Sequence, residues 1–374
     1  MKPIRLIYLA TADARGHLMR AQLLTHALRD SGAEVDVLTT SDEGATFLAG
    51  FGITARVLSR HYAVQFDTRQ NMLRAETDAN VANYLFRPSR MLRDILTLRT
   101  ALRDADLIIN DSFHPALLFM GYMPGWRHKV VHVYGASLRK ALQTNFAGRM
   151  PAFLSRLFDG IVGWQIDASR ARIEHDFSYT AGRNGATFRL PTPVVVATHT
   201  ALTKPGGQPS AAVYLNPHFR DPNLAEGVET GLHLAGMDAM LVGEGYAERP
   251  RWAAQDADWV GRAAASNLII SAPGMGALSV ALIYSRPIVL VVTEQPEQKI
   301  NAARAAQLGL THRVVVWRGD GATFAQDLRR ACTELLEESS VSPATDGRAV
   351  AAARLQSWVA LLHELAGSPM RRRA

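Results

Sequence analysis

The sequence predicts an α/β protein in which two Rossmann-like domains face each other across a cleft. The chain has 374 residues, more than one hydrophobic core usually organises. Short apolar segments typical of buried strands alternate with segments of helical periodicity, as in parallel sheets covered by helices on both faces. A non-periodic segment rich in Pro and Gly, residues 204–209, separates two such series, and we interpret it as the interdomain linker.

The same alternation of elements runs through both halves of the chain. In the N-terminal half the pattern predicts strands at 4–9, 35–38, 105–110, 130–134 and 161–164, and a first helix over 18–29 that Gly32 ends. In the C-terminal half it predicts strands at 211–215, 239–242, 268–271 and 288–292, with helices at 223–234, 276–284, 298–308 and 325–338. We therefore expect domains over 1–200 and 211–345, and a last helix within 346–374 that packs back on the first domain.

The composition indicates a globular protein without bound metal. Hydrophobic residues make up 48% and charged residues 20% of the chain, an ordinary mixture for a soluble domain. No apolar run of about 18 residues predicts a membrane-spanning helix. The N-terminus lacks the cleavage site of a signal peptide, so a cytoplasmic location is expected. Cys332 is the only cysteine, which excludes disulfides, and the histidines lack metal-ligand spacing. We predict no metal site and no cofactor.

The net charge of +7 suits anionic partners such as phosphates or acidic lipid headgroups. Residues 87–103 place arginines at roughly helical spacing among apolar residues, which predicts an amphipathic helix with a cationic side. These arginines are Arg87, Arg90, Arg93, Arg99 and Arg103. The cationic side fits either a solvated surface or a peripheral contact with an anionic membrane, and we expect no nucleic-acid partner.

Two candidate catalytic residues follow predicted strands of the N-terminal half. His17 comes after the first strand, in the segment Arg15-Gly16-His17, and Asp111 ends a later apolar strand. The carboxyl ends of parallel strands meet at one edge of a sheet, where ligands bind. A histidine there can take a proton from a hydroxyl group, an aspartate can fix its tautomer, and Gly16 allows a tight turn. Taken singly, His17 also fits a packing or capping role, and Asp111 a helix N-cap.

The C-terminal half carries small and polar residues in three places where a nucleotide could bind. The segment Ser271-Ala272-Pro273-Gly274-Met275-Gly276 lies between a strand and a helix, so a diphosphate could approach its amides. Glu297 and Gln298 follow the next strand and offer hydrogen-bond partners for the hydroxyls of a sugar. Trp252, near Gln255, could stack on a base. Each segment alone also fits an ordinary packing or helix-start role.

The order of these segments resembles the GT-B superfamily of nucleotide-sugar glycosyltransferases. Gly16-His17 followed by Arg20 is similar to the G-H-x-x-[PR] start of the first helix in that superfamily. Trp252-Ala253-Ala254-Gln255 resembles a W-x-x-Q segment, and Glu297-Gln298-Lys299-Ile300-Asn301-Ala302 resembles a [DE]-Q-x-x-N-A segment. Within the superfamily, the chain is most similar to the family-1 UDP-glycosyltransferases and the family-28 peptidoglycan GlcNAc transferase.

The resemblance implies an inverting, metal-independent transfer of a sugar from a nucleoside diphosphate donor to the hydroxyl group of an unknown acceptor. It makes His17 the catalytic base, Asp111 its partner, and Trp252 the ring that stacks on the nucleotide base. The N-terminal domain then binds the acceptor and the C-terminal domain binds the nucleotide-sugar. The residues implied in donor binding are Gly16, Asn216, Gly243, Trp252, Gln255, Ser271, Gly274, Met275, Gly276, Glu297 and Gln298.

The sequence departs from the family-1 pattern at two donor positions. Ala272 stands where a histidine binds the diphosphate, and Val280 where a glutamate holds the ribose. UDP is the first expectation for the nucleotide, with TDP or GDP as alternatives, and Arg262 or His218 could replace the phosphate contact. The alternative functions are a nucleotide-sugar epimerase of the same architecture and a non-catalytic homologue that binds nucleotide-sugars.

Overall fold

The computed structural model of the chain describes residues 3–11, 15–58, 65–66, 72–73, 88–111, 114–136, 160–161, 163–197, 208–293, 296–307, 309–339 and 347–367. The chain divides into two compact units. The N-terminal unit comprises Met1–Ala63, Ala75–Pro193 and Arg354–Ala374, and the C-terminal unit comprises Val64–Arg74 and Val194–Ala353. Each unit is built on a sheet of its own.

The N-terminal unit contains an eight-stranded sheet. The strands of this half of the chain are β1 (Arg5–Ala10), β2 (Glu34–Thr39), β3 (Ala55–Val57), β4 (Gln65–Phe66), β5 (Met72–Leu73), β6 (Leu107–Asp111), β7 (Val130–Gly135), β8 (Ala171–Asp176), β9 (Gly182–Asn184) and β10 (Thr187–Pro191). The sheet order is β3-β2-β1-β6-β7-β8-β10-β9, and β4 pairs separately with β5. All neighbours in the large sheet are parallel except β9 and β10. Consequently β1 and β6 end at the same edge, where Ala10 lies opposite Asp111.

Helices cover this sheet on both faces. They are α1 (Arg15–Asp30), α2 (Asp42–Ala49), α3 (Pro88–Ala101) and α4 (Pro115–Tyr122). Alternate residues of a strand point to opposite faces, so Leu6 packs in one core with α1 and α2, whereas Ile7 packs in another with α3 and α4. The chain leaves α1 through Gly32, whose φ of +90° favours glycine.

The C-terminal unit is built on a six-stranded parallel sheet in the order β13-β12-β11-β14-β15-β16. Its strands are β11 (Ser210–Leu215), β12 (Asp238–Gly243), β13 (Trp252–Ala253), β14 (Leu268–Ser271), β15 (Ile288–Val292) and β16 (His312–Val316). The helices of this half are α5 (Pro222–Leu234), a 3-10 turn (Glu244–Tyr246), α6 (Trp259–Ala265), α7 (Met275–Ile283), α8 (Pro296–Gln307), α9 (Gly321–Ser339) and α10 (Arg348–Gly367). β14 and β15 are buried along their whole lengths, which explains their continuous apolar sequence.

The last helix, α10, contributes most of its length to the N-terminal unit, which includes it from Arg354 onward. Trp358 and Leu362 are fully buried in the core that also holds α1. The Trp358 indole Nε1 donates a hydrogen bond of 2.8 Å to the carbonyl oxygen of Pro191. The helix therefore completes the N-terminal unit by covering one face of its sheet.

The predicted fold class is confirmed, since both sheets are dominated by parallel strands and both carry helices. The strand predicted at 161–164 is wrong, because residues 160–161 and 163–168 are helical. Trp164 lies 57% exposed on that helix. The strand of this region is β8 instead, where Arg172 and Glu174 interrupt the apolar pattern. Of the predicted linker, residues 204–207 lie outside the described residues.

Candidate active site

His17 and Asp111 meet at the carboxyl edge of the N-terminal sheet. Asp111 is the last residue of β6 and is fully buried, while His17 lies in the first turn of α1 with one-fifth of its side chain exposed. The His17 Nδ1 atom is 3.1 Å from Oδ1 of Asp111. The two residues that the sequence selected at separate strand ends are thus within hydrogen-bond distance. An imidazole held in this way by a carboxylate can serve as a general base.

Arg20 joins this pair, although the sequence assigned it no chemical role. Its Nε atom donates to Asp111 Oδ2 at 2.8 Å, and its Nη2 atom donates to Oδ1 of the same carboxylate. The Tyr8 hydroxyl also donates to Oδ2, at 2.7 Å. The i, i+3 spacing of His17 and Arg20 places both on one face of α1, and this is the sequence signal that could have identified Arg20.

The Arg20 guanidinium keeps Asp111 ionised in the protein interior. Burial raises the pKa of a carboxyl group, but the charge of Arg20 and the hydrogen bond from His17 outweigh that effect, and the pKa of Asp111 is lowered. Burial, and next the Asp111 charge, raise the pKa of the Tyr8 hydroxyl well above its usual value. Tyr8 therefore remains a hydrogen-bond donor to a carboxylate that is ionised near neutral pH.

Gly16 does not form the tight turn that we expected. It is the second residue of α1, and its φ is not positive. A Cβ atom built on Gly16 would meet no described atom within 4 Å. The connection between β1 and α1 includes residues 12–14, which lie outside the described residues. The prediction of Gly16 as a donor-binding residue remains untested.

The loop between β14 and α7 leaves space beside a helix N-terminus. Gly274 precedes α7 with an extended backbone (φ −84°, ψ 153°) that any residue can adopt. Met275 begins the helix half-buried, and no described side chain caps it. A Cβ atom on Gly274 or Gly276 would meet no described atom within 4 Å. Neither backbone strain nor packing requires glycine here, so the loop is open to a group that approaches the helix amides.

Two buried side chains hold this loop through hydrogen bonds, one at the end of β14 and one on α8. The Ser271 hydroxyl donates to the Tyr214 carbonyl at 2.8 Å, so it ties β14 to β11. Asn301, on α8, donates through Nδ2 to the Pro273 carbonyl at 2.8 Å. Ser271 was predicted to bind donor, but its hydroxyl hydrogen is engaged within the sheet. Its position favours a structural role.

Gln298 is also engaged at the start of α8. Its Oε1 atom accepts hydrogen bonds from the Thr293 backbone N–H at 2.7 Å and from the Thr293 hydroxyl at 2.9 Å. Only the Gln298 amide group then remains for a sugar hydroxyl, as a donor. Glu297 lies in the same helical turn, and its side chain is outside the described part of the structure.

Solved structures match this chain along nearly its whole length. CalG4, the calicheamicin glycosyltransferase, is 17% identical, with a TM-score of 0.65 over 99% of this chain and 100% of its own. The spinosyn rhamnosyltransferase SpnG, complexed with thymidine diphosphate, is 16% identical, with a TM-score of 0.57 over 96% of each chain. LpCGTa, in complex with UDP, is 14% identical, with a TM-score of 0.58 over 98% of this chain and 100% of its own.

The chain has the GT-B fold. At 14–18% identity the likeness establishes this fold, and the roles of individual residues depend on their own geometry. No protein-family profile matches the sequence, and no curated protein matches it by sequence.

Trp252 occupies the core of the C-terminal GT-B unit instead of an open surface. It is 5% exposed, lies 4.8 Å from the Tyr246 ring centroid, and donates through Nε1 to Glu229 Oε1 at 2.8 Å. A Cβ atom on Gly243 would come within 3.1 Å of the Trp252 ring. Both residues were predicted to bind donor, but their positions serve packing. Base stacking by Trp252 stays a prediction, and the burial of its ring argues against it.

Trp259, near the carboxyl edge of the same sheet, is partly exposed. It begins α6, and its ring centroid lies 5.5 Å from that of Tyr214. Its Nε1 atom donates to the Val213 carbonyl at 3.3 Å, which holds the indole against β11. Because the sequence matches Trp252 to a W-x-x-Q segment, we did not consider Trp259, seven positions later, as a ring that could stack on a base.

Two more predicted donor residues lie in different loops of the C-terminal unit. Gln255 is exposed in the loop before α6. Asn216 accepts the His218 backbone N–H through Oδ1 at 3.0 Å, in the turn after β11. Arg262 is paired with Asp256, with 2.9 Å between Nε and Oδ2, so its charge is already matched. Arg262 is therefore a poor replacement for a phosphate-binding histidine.

The two positions at which the sequence differs from the family-1 pattern are occupied by buried hydrophobic residues. Ala272 and Val280 are 5% and 3% exposed. Neither side chain carries a polar atom, so neither offers a hydrogen bond to a nucleotide.

The cationic helix predicted near residues 87–103 is α3. Leu98, on its inner side, and Leu102, just after its end, are fully buried. Leu92 and Leu96 are 56% and 62% exposed on its outer side. Four exposed arginines surround these leucines, namely Arg90, Arg93, Arg99 and Arg103. The side chain of Arg87 lies outside the described residues.

Among the residues that the structure describes, no three His, Cys, Asp or Glu side chains gather as a metal site. Within the same residues no helix has both the length and the apolar character needed to cross a membrane.

Proposed function

We propose that this chain is an inverting, metal-independent glycosyltransferase that moves a sugar from a nucleoside diphosphate donor to an acceptor hydroxyl. The observation that carries the proposal is the contact between His17 and Asp111 at the carboxyl edge of a parallel sheet. Such an edge is where α/β sheets bind ligands. The GT-B fold shared with proteins named as glycosyltransferases supports the same conclusion.

In the proposed reaction, His17 accepts the proton of the acceptor hydroxyl while Asp111 stabilises the resulting imidazolium. The oxygen bonds to the anomeric carbon from the face opposite the diphosphate, and the bond from that carbon to the diphosphate oxygen breaks. The configuration at the carbon is thereby inverted. The N-terminal amides of α7, beside Gly274 and Gly276, stabilise the departing negative charge without a metal ion.

For the nucleotide, we propose a uridine or thymidine diphosphate donor. Support comes from two structures of the same fold, one of which holds UDP and the other thymidine diphosphate. Trp259, partly exposed near the carboxyl edge, is the ring that we propose for stacking on the base. Gln298 would donate through its amide to a sugar hydroxyl, because its carbonyl oxygen is engaged by Thr293.

Replacement of the base tests the mechanism. His17→Gln should lower turnover by about 10²- to 10⁴-fold, the usual contribution of a general base, and should leave the affinity for UDP or TDP unchanged within about twofold because these ligands bind the other unit. Turnover is measured as released nucleoside diphosphate, and affinity by calorimetry. His26→Gln, on the same helix, is the matched control and should retain activity. Full turnover by His17→Gln would contradict the assignment.

We further propose that α3 makes a peripheral contact with an anionic membrane. Leu92 and Leu96 are exposed on α3, and Trp164 is exposed on the helical stretch 163–168. The Trp164 ring lies 4.7 Å from that of Tyr122 on α4, which packs against α3. Exposed apolar side chains among arginines suit insertion between anionic headgroups. This contact would favour an acceptor carried by a lipid.

A further inference from the structure

The contacts of His17 Nδ1 are unusual for a simple pair of histidine and aspartate. This atom is 3.1 Å from Asp111 Oδ1, which can only accept a hydrogen bond, because the carboxyl group is ionised. It is also 2.9 Å from Arg20 Nη2, which can only donate one. A single nitrogen therefore faces a donor and an acceptor that compete for it.

The two competing bonds correspond to two forms of the imidazole. When Nδ1 carries the hydrogen, it donates to Asp111, and Nε2 keeps the lone pair that a base requires. When Nδ1 accepts from Arg20, the hydrogen is on Nε2, and the ring has no lone pair left for a substrate proton. The balance between Arg20 and Asp111 thus determines whether His17 can act.

Charge adds a second effect of Arg20. A buried carboxylate beside an imidazole stabilises the positively charged ring, which cannot accept a proton. Arg20 forms a two-point contact with both oxygens of Asp111 and offsets that negative charge. The same guanidinium lies against the His17 ring and opposes its protonation directly.

We propose that Arg20 is a positioning residue that fixes Asp111 and opposes protonation of the His17 ring, so that the ring can accept a proton from a substrate. The inference rests on the proposed function for its catalytic meaning, but the state of the His17 ring is measurable without any substrate. It gives Arg20, the last residue of the Gly16-His17-x-x-Arg20 segment, a chemical task that the fold alone does not indicate.

Two further titratable groups of this cluster, Tyr8 and His175, are uncharged and support this balance. From β1, Tyr8 donates to Asp111, and its raised pKa keeps it protonated. From β8, buried His175 has its pKa lowered well below the usual value, first by burial and then by the charge of Arg20. Tyr8 and His175 therefore add no charge to those of Asp111 and Arg20, which contact the His17 ring.

The test is a pH titration of His17 by ¹⁵N NMR on the full chain with labelled histidine. The signal is assigned by its loss in His17→Gln, and the nitrogen shifts report both protonation and tautomer. In Arg20→Met, the midpoint of the His17 titration should move up by about one pH unit, the size of shift that a nearby charge produces. Arg29→Met removes a positive charge from the same helix away from Asp111, and should leave the midpoint unchanged.

A second pair of variants covers the case in which Arg20→Met does not fold. In Asp111→Asn the charge of Arg20 is unopposed, so the midpoint should fall below that of the native protein. In Arg20→Met with Asp111→Asn both charges are gone, and the midpoint should rise by about one unit relative to the single Asp111→Asn change. Equal midpoints within this pair, or an unmoved midpoint in folded Arg20→Met, would overturn the proposal.

Turnover separates this inference from the proposed function. If both hold, the acid limb of the pH–rate profile of Arg20→Met moves up together with the NMR midpoint, and activity recovers at alkaline pH. A merely structural role of Arg20 would lower the rate at every pH and leave the midpoint in place. An NMR shift in a protein that transfers no sugar from any donor would sustain the inference about Arg20 and refute the proposed function alone.

Discussion

Trp252 in β13 and Trp259 at the start of α6 differ in what surrounds them, and this difference underlies the roles that we propose for them. Trp252 is enclosed by Gly243 and Tyr246, and its indole hydrogen is engaged by Glu229. Trp259 is partly exposed beside Tyr214. A base can stack only on a ring with an open face, so the structure favours Trp259.

Alanine at each position separates packing from binding. Trp252→Ala should lower the free energy of unfolding of the C-terminal unit by about 3–5 kcal/mol, because a large core side chain is lost. Trp259→Ala should weaken UDP or TDP binding by about tenfold, the lower range measured for stacking on a base, and change stability less. Urea unfolding and calorimetry provide the two readings. Native nucleotide affinity in Trp259→Ala would refute its stacking role.

The sequence predicted the meeting of His17 and Asp111 because both follow apolar segments, and parallel strands bring their ends to one edge. It could not predict the role of Arg20, because a guanidinium reaches several positions and its partner depends on the rotamer. Nor could it show that Trp252 is enclosed. A motif match identifies a residue type and a spacing, whereas enclosure depends on Gly243 and Tyr246 from other elements.

At the level of elements, the helix α3 has an inner side that packs in a core of its unit and an outer side that is apolar and cationic. Its inner Leu98 belongs to a core of the N-terminal unit. Its outer Leu92 and Leu96 are more than half exposed and lie among arginines. In the membrane contact that we propose, such a surface would bind anionic vesicles through the arginine charges and then through insertion of the leucines.

Vesicle sedimentation tests this surface. The native chain should bind vesicles that contain phosphatidylglycerol and should release them at high salt, because screening removes the attraction. Leu92→Ser with Leu96→Ser should weaken binding by about tenfold or more, since each buried leucine contributes about 1.5–3 kcal/mol. Leu234→Ser, at an exposed leucine of α5, is the control and should bind as the native chain does. Equal binding by both variants would exclude a membrane role for α3.

The elements that the sequence predicted well are those whose hydrophobic pattern fits one type of secondary structure. β14 and β15 read as unbroken apolar runs because both of their faces are buried. β8 was missed because Arg172 and Glu174 alternate with its buried residues. The run at 161–164 read as a strand, although Ile161 and Trp164 are exposed apolar residues of a helix. A run of four residues is too short to distinguish the hydrophobic period of a strand from that of a helix.

At the level of the whole molecule, each unit of the GT-B fold has a mainly parallel sheet, and the candidate functional residues of each unit lie at the carboxyl edge of its sheet. The N-terminal unit offers a buried carboxylate, a histidine and an arginine, and the C-terminal unit offers a glycine loop at a helix N-terminus. The net charge of +7 favours approach of an anionic donor. Together these features agree with the proposed transfer from a nucleoside diphosphate.

The most direct test is mass spectrometry of the full chain incubated with UDP-, TDP- and GDP-hexoses together with hydroxyl-bearing acceptors, soluble and lipid-linked. We predict release of a nucleoside diphosphate from a uridine or thymidine donor, matched by the gain of one sugar mass on an acceptor and lost in His17→Gln. Recovery of every donor intact would contradict the account and favour a binding protein. A donor isomerised without any acceptor would contradict it in favour of an epimerase.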